Sequence, residues 1–167
     1  MALSERELYA CHQRLEKPLF NVLYRMLWNK HESEDVIQEA FLRAWRSRVR
    51  IDVPSLDGLI WVSAMNLARN RLRWHRLWRA ETFDTQWPDS APTPEQCLEH
   101  DAEQSRVRRA LRQLPKKMRE IVLLTEFAEL KHADVARVLH IPIGTVASRR
   151  HHALQKLRAL LEQEHHE

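Results

Sequence analysis

The scarcity of glycine restricts the folds open to this chain more than any other feature of its sequence. Only two glycines, Gly58 and Gly144, occur in 167 residues. Sheet proteins with many tight turns use glycine where φ is positive, whereas glycine weakens helices. Leucine, alanine, arginine and glutamate, which favour helices, are frequent instead. The sequence therefore predicts an all-α protein.

The charges are unevenly distributed along the chain. Residues 1–80 contain 14 Lys and Arg against 9 Asp and Glu, residues 81–103 contain none against 7, and residues 104–167 contain 13 against 7. The acidic stretch also holds three prolines, as linkers often do. We predict two small helical domains, 1–80 and 104–167, joined by an acidic linker that includes the start of the next helix. Two basic blocks suit a polyanionic partner, because clustered Lys and Arg release counterions when they neutralise phosphates; solvated helix faces are the alternative.

Capping residues and apolar spacing place the helices of the first block. Ser4 and Glu7 form a capping-box pair ahead of the first helix, and Pro18 indicates either two helices or one kinked helix. Ser33 is the predicted start of the second helix, since two carboxylates follow it in the first turn. A third helix is predicted from about residue 56 to residue 79.

The second block has the spacing of a helix-turn-helix. Its helices are predicted near residues 94–113, 116–128, 132–139 and 143–162, and the last two form the motif. Val135, Ala136 and Leu139 predict the short helix, and the predicted inner stripe of the longer helix is Val146, Ala153, Leu157 and Leu160. The outward face of the last helix offers side chains that can reach phosphates or base edges in a major groove, namely Thr145, Ser148, Arg149 and His152. A plain helical hairpin is the alternative interpretation.

A second basic segment runs from Asn66 to Arg79. It contains five arginines and two tryptophans with no acidic residue. Arginine contacts phosphates, while tryptophan and asparagine can stack on or hydrogen-bond to bases that have left the duplex. The pattern therefore favours opening or single-stranded DNA over closed duplex. The alternative is that Trp74 and Trp78, four residues apart, are core and the arginines are solvated.

Three motifs of this chain resemble those of one protein family, the extracytoplasmic-function (ECF) sigma factors. Residues 35–45, from Asp35 to Trp45, resemble the family's polymerase-binding helix, and residues 61–70 resemble its promoter-melting helix. Residues 110–120 and 141–149 resemble its C-terminal helix-turn-helix domain. The similarity covers both basic blocks and the linker, in the family's order.

The resemblance implies a transcription initiation factor whose partners are core RNA polymerase, promoter DNA and an anti-sigma factor. The first domain would bind the polymerase and capture the non-template strand of the minus-ten element, and the second would read the minus-thirty-five element. The acidic linker would follow a positively lined path in the enzyme. By position, the polymerase-binding candidates are Asp35, Gln38, Glu39, Phe41 and Arg43. The minus-ten candidates are Trp61, Asn66, Arg69, Asn70, Arg73 and Arg76, with residues 48–55 as the loop for a flipped base. The four outward residues of the last helix are the minus-thirty-five candidates.

Three positions depart from the family's pattern. His140 occupies a turn position where glycine is usual, which strains the turn if a positive φ is needed. Ala147 replaces a common lysine, and Arg150 stands where an apolar residue is commoner. We expect Arg150 to snorkel or to pair with an acid such as Glu126 rather than to contact DNA.

Several other classes are disfavoured by the sequence. No apolar run approaches 18 residues and the N-terminus has no signal pattern, so we expect a cytoplasmic protein without membrane insertion. Cys11 and Cys97 are too few for a disulfide framework. Cys97 and His100 have ligand-like spacing but no second pair, so we expect no metal and no cofactor. The sequence has neither a phosphate-binding loop nor a nucleophile elbow, so we do not expect an enzyme. Two rivals remain: a helix-turn-helix regulator that is not a polymerase subunit, and a structural adaptor.

Overall fold

The computed structural model describes residues 2–51, 55–81 and 102–165, and within these ranges it contains helices and no strand. The all-α prediction is confirmed. The described helices fall into two compact units, one with the first three helices and the other with the fourth, fifth, seventh and most of the sixth. The helices are α1 (Glu5–Leu27), α2 (Lys30–Arg46), α3 (Leu56–Glu81), α4 (Ala102–Gln113), α5 (Lys116–Val122), α6 (His132–Leu139) and α7 (Ile143–Gln163).

Helix α1 runs without interruption for 23 residues. The predicted capping box is present, since the Ser4 hydroxyl accepts from the Glu7 amide at 3.3 Å and the Glu7 carboxylate accepts from the Ser4 amide at 2.8 Å. Pro18 lies inside the helix, so of the two predicted alternatives the single helix is correct. Proline has no backbone N–H, so the helix lacks one hydrogen bond at Pro18. Leu15 and Leu19, on either side of Pro18 in the sequence, are buried and hold the helix in place by packing.

The predicted start of α2 at Ser33 is wrong. The cap is Asn29, whose side-chain oxygen accepts from the Glu32 amide at 3.0 Å, and the helix begins at Lys30. The Ser33 side chain is fully buried and its hydroxyl donates to the Asn29 carbonyl at 2.7 Å. Asn29 therefore supplies the acceptor that the sequence interpretation assigned to Ser33.

Helix α3 packs against both α1 and α2 through a stripe of buried side chains. Near its start, Asp57 accepts from the Cys11 thiol at 3.2 Å and from Arg14 Nη2 at 2.6 Å. The pKa of Cys11 is raised from its ordinary value of 9.0 to about 12. Burial of the thiol is the larger cause, and its hydrogen bond to Asp57 is the second. These contacts fix the position of α3 relative to α1.

In the second unit, the guanidinium of Arg119 joins α5 to the end of α4. It donates to the carbonyls of Leu111, Arg112 and Leu114 at 2.7, 2.9 and 3.0 Å. The last carbonyls of a helix have no partner within it, so one side chain here satisfies several of them. Burial lowers the pKa of Arg119 from its ordinary value.

The predicted helix at 116–128 is not a single α-helix. Residues 123–127 form a π-helical turn after α5. The predicted start near residue 94 of the preceding helix lies outside the described residues, which begin again at Ala102.

The helix-turn-helix itself agrees closely with the predicted bounds. Of the apolar positions that predicted the motif, Val135, Val146 and Ala153 are fully buried, whereas Ala136, Leu139, Leu157 and Leu160 are half-buried. Val138, which the prediction left out, is 4% exposed. His140 lies in the turn at φ 54°. The turn does require a positive φ at this position, which was the condition for strain, and histidine adopts it at a steric cost.

Candidate polymerase and DNA interfaces

An open groove of about 1100 Å³ lies between α1 and α2. Two of the predicted polymerase-binding residues, Gln38 and Phe41, line it. Asp35 and Arg43 are exposed and Glu39 is half-buried. Arg43 Nε and Glu39 Oε1 form an ion pair at 2.9 Å. The structure thus places Gln38 and Phe41 in the lining of the groove. The charged candidates lie on the same helix but are not part of that lining.

The groove also has apolar lining that the sequence interpretation missed. Tyr9 is 64% exposed and Leu42 is 40% exposed, although both are large and apolar. The His12 ring meets the buried Phe41 ring edge-on at a centroid distance of 4.8 Å. Tyr9 and Leu42 lie outside the apolar stripe that each helix buries in the core. Large apolar residues at such positions indicate an interaction surface, so the sequence did contain a signal for this part of the groove.

The outer face of α3 carries most of the predicted minus-ten residues. Asn66, Asn70, Arg73 and Arg76 are exposed and Arg69 is half-buried. The guanidinium groups of Arg69 and Arg73 donate to the side-chain oxygens of Asn66 and Asn70, each at 2.9 Å. These pairs keep alternating amide and guanidinium groups on one surface, a set that can bind both phosphates and base edges.

Trp61 does not belong to this surface. Its side chain is 2% exposed and packs in the core of the first unit. A base could not reach its ring in this conformation, so the contact that the resemblance implies for Trp61 has no surface to act through. By contrast, Trp74 and Trp78 are exposed, which argues against the alternative that they are core. The loop predicted to pocket a base is described except for residues 52–54.

The predicted minus-thirty-five residues lie on the first turns of α7. Ser148 and His152 are exposed, while Thr145 and Arg149 are half-buried. Val146 and Ala153 are fully buried on the opposite side and hold this helix to its unit. The residues therefore share an accessible face, as a recognition helix requires.

Two further expectations concern metals and membranes. Among the described residues, no three His, Cys, Asp or Glu side chains group as metal ligands would. Cys97 and His100, the pair with ligand-like spacing, lie outside the described ranges. No helix in the described part of the chain has both the length and the apolar composition needed to span a bilayer.

Comparison with known proteins identifies both units. The family model "Sigma-70 region 2" matches residues 11–77, and "Sigma-70, region 4" matches residues 104–157. The RNA polymerase sigma-H factor of Pseudomonas aeruginosa is 30% identical over 148 residues, which cover 81% of this chain and 76% of that protein. The ECF RNA polymerase sigma factor SigW of Bacillus subtilis is 29% identical over 154 residues, covering 86% and 82%. The ECF factor SigE of Mycolicibacterium smegmatis is 29% identical over 146 residues, and the chain spans only 57% of its length.

Solved structures share the fold. The complex of CnrH with the cytosolic domain of CnrY aligns with a TM-score of 0.73 at 22% identity, covering 96% of this chain and 90% of that one. The complex of the sigma factor RpoE with the anti-sigma factor NepR from Bartonella quintana aligns with a TM-score of 0.67 at 20% identity, covering 90% and 95%. Both sigma regions are matched in order, and relatives at 30% identity, including the ECF RNA polymerase sigma factor RpoE of Cereibacter sphaeroides, are covered to more than two thirds of their length, so the chain belongs to the extracytoplasmic-function family of RNA polymerase sigma factors.

Proposed function

We propose that this sigma factor binds core RNA polymerase through the groove between α1 and α2 and carries it to specific promoters. The apolar lining around Phe41, Tyr9 and Leu42 would bury against the enzyme, with Asp35, Gln38, Glu39 and Arg43 supplying polar contacts at the rim. The protein would act in the cytoplasm, beside the enzyme and the chromosome. Its contribution would be binding and DNA distortion, with the chemistry left to the polymerase.

DNA recognition is proposed to divide between the two units. The outer face of α3 would hold the non-template strand of the minus-ten element through Asn66, Arg69, Asn70, Arg73 and Arg76. The first turns of α7 would read the minus-thirty-five element through Thr145, Ser148, Arg149 and His152. The domain boundaries proposed from the sequence, 1–80 and 104–167 around an acidic linker, fit this division.

The observation that carries the proposal is the amide and guanidinium surface of α3. A helix-turn-helix regulator that binds closed duplex needs only its recognition helix, and a structural adaptor needs no basic face. A second cationic surface, on a unit that also presents an apolar groove, is what a subunit that opens DNA requires.

Control by an anti-sigma factor is also proposed. Two of the structural neighbours were solved as complexes, CnrH with the cytosolic domain of CnrY and RpoE with the anti-sigma factor NepR. In this chain the groove between α1 and α2 offers such a partner an apolar surface, and its occupation would exclude the polymerase. A candidate anti-sigma factor should then compete with core polymerase, and Leu42→Glu should weaken both interactions.

Two variants with opposite defects test the assignment by transcription in vitro with core polymerase. Leu42→Glu places a charge in the groove and should abolish binding to the core enzyme. The double variant Asn66→Ala with Arg73→Ala should bind the core enzyme normally but lose promoter opening, measured by permanganate reactivity of unpaired thymines. If the wild-type chain has no affinity for core polymerase, or if the α3 variant opens promoters normally, the proposal is wrong.

A further inference from the structure

The turn that follows α2, residues 47–51, presents most of its side chains to solvent. Val49 is 77% exposed, and only Ile51, at the far end of the turn, is buried. The Arg50 amide donates to the Ser47 carbonyl at 2.9 Å, a hydrogen bond within the turn itself. Such a bond fixes the shape of a turn but not its position on the bundle. A recognition site built on this turn therefore needs a further contact that holds it in place.

The residues ahead of α1 supply such a contact. The Leu3 amide donates to the Arg48 carbonyl at 3.0 Å. The Leu3 side chain is 2% exposed, although Ala2 and Ser4 on either side of it are exposed. Ser4 is also the cap of α1, so the position of Leu3 is fixed relative to that helix. Leu3 is therefore an apolar anchor that joins the start of α1 to the turn.

The Arg48 side chain holds the same residue to α2. Its guanidinium carbon lies 4.4 Å from the centroid of the Trp45 ring, and its Nη1 donates to the Trp45 carbonyl at 3.2 Å. Arg48 is thus bound to α2 through its side chain and to Leu3 through its carbonyl. Trp45 also lines the groove between α1 and α2, so a test of the turn must measure binding to core polymerase separately.

We propose that Leu3 is a positioning residue for base recognition, which holds the turn of residues 47–51 in the place where it meets a flipped base of the minus-ten element. This inference rests on the proposed function, because the loop that the family resemblance assigns to a flipped base begins with this turn. Leu3 itself touches no DNA. A base outside the stack is recognised by the shape of its pocket, so a displaced wall changes which base fits.

Binding of the holoenzyme to promoter forks tests the inference. Each fork has an unpaired non-template minus-ten strand, and each unpaired position is varied through the four bases. The wild type should prefer one base by about tenfold at the position that the turn holds, and Leu3→Ala should lower this preference to about twofold. The preferences at the other positions and the affinity for core polymerase should not change.

Three further variants separate positioning from stability. Leu3→Met keeps most of the apolar volume and should retain the preference. Leu23→Ala is the matched control, because Leu23 is fully buried near the other end of α1. It should lower the thermal stability at least as much as Leu3→Ala does and still retain the preference. Leu3→Val should give an intermediate preference, and it provides the measurement if the alanine variant does not fold.

Three results would overturn the inference: an unchanged preference in the Leu3 variants, an equal loss of preference in Leu23→Ala, or weaker binding of Leu3→Ala to core polymerase. The second would show that general stability controls the preference, and the third that Leu3 acts through the groove. If the wild-type holoenzyme binds the fork no more tightly than the fully paired promoter, the proposed function fails instead.

Discussion

Arg150 and Glu126 are joined by two short contacts, with both Nε and Nη2 of the guanidinium 2.7 Å from the same carboxylate oxygen. The pair ties the second turn of α7 to the π-helical turn after α5. It lies on a different side of α7 from Ser148 and His152, so the guanidinium is directed away from the candidate DNA face. The pairing expected from the sequence is therefore confirmed.

Replacing Arg150 with leucine should keep promoter-specific transcription within about twofold of the wild type. A half-exposed ion pair contributes only about 0.2–1 kcal/mol, and leucine supplies the apolar contact that is commoner at this position. The matched control is Arg149→Leu, one residue earlier and among the candidate DNA contacts, which should reduce transcription about tenfold. Promoters with intact and scrambled minus-thirty-five elements provide the measurement, and a promoter-selective loss with Arg150→Leu would contradict the structural role.

Replacing His140 with glycine should stabilise the C-terminal unit by about 1 kcal/mol. The residue adopts φ 54°, which costs an L-residue about 1–2 kcal/mol, and glycine offsets part of that gain through its greater freedom in the unfolded chain. Ala159→Gly is the control, since Ala159 is exposed inside α7 and its replacement by glycine should cost about 1 kcal/mol of stability. Thermal unfolding distinguishes them; equal destabilisation by both variants would show that the turn is unstrained.

Replacing Arg119 with methionine should destabilise the packing of α4 on α5 by about 1.5–3 kcal/mol. The change keeps much of the side-chain volume but leaves three carbonyls without the charged donor that they share. Amide hydrogen exchange across both helices is the readout. Arg112→Met, at an exposed position of α4, should have little effect, and similar exchange in the two variants would argue against the capping role.

The Cys11 thiol should resist alkylation at pH 8.5 in the folded protein and react readily in urea. Its folded pKa of about 12 lies above the ordinary value of 9.0. Its contribution to stability is therefore complete below pH 9 and is lost as the pH rises from 9 toward 12. A Cys97→Ser background leaves one thiol to follow with iodoacetamide. Fast labelling of the folded chain at pH 8.5 would show that the thiol is not held as described.

The elements that the sequence predicted best are those with strong local signals. The capping box at Ser4 and Glu7 and the bounds of α6 follow from neighbouring residues alone. The start of α2 was misplaced because Asn29 and Ser33 are both good caps, and the choice depends on which side chain becomes buried.

The candidate sites were less accessible to sequence analysis because burial depends on the whole bundle. Trp61 and Trp74 both lie on α3 in a segment that suggests DNA binding, yet packing against α1 and α2 buries the first and leaves the second exposed. Glu32 and His75, which are in contact, are 43 residues apart in the sequence. Arg119 reaches a carbonyl 8 residues before it. No periodic pattern reveals such pairs.

The π-helical turn at residues 123–127 sets the direction in which the following residues point relative to α5. Such a turn accommodates one more residue than an α-helix of the same span. If residues 123–127 wound as a regular α-helix with no residue removed, everything that follows would be rotated by about 100° relative to α5. Glu126 would then no longer point toward α7, so the aim of the recognition helix depends on an irregularity that lies wholly outside it.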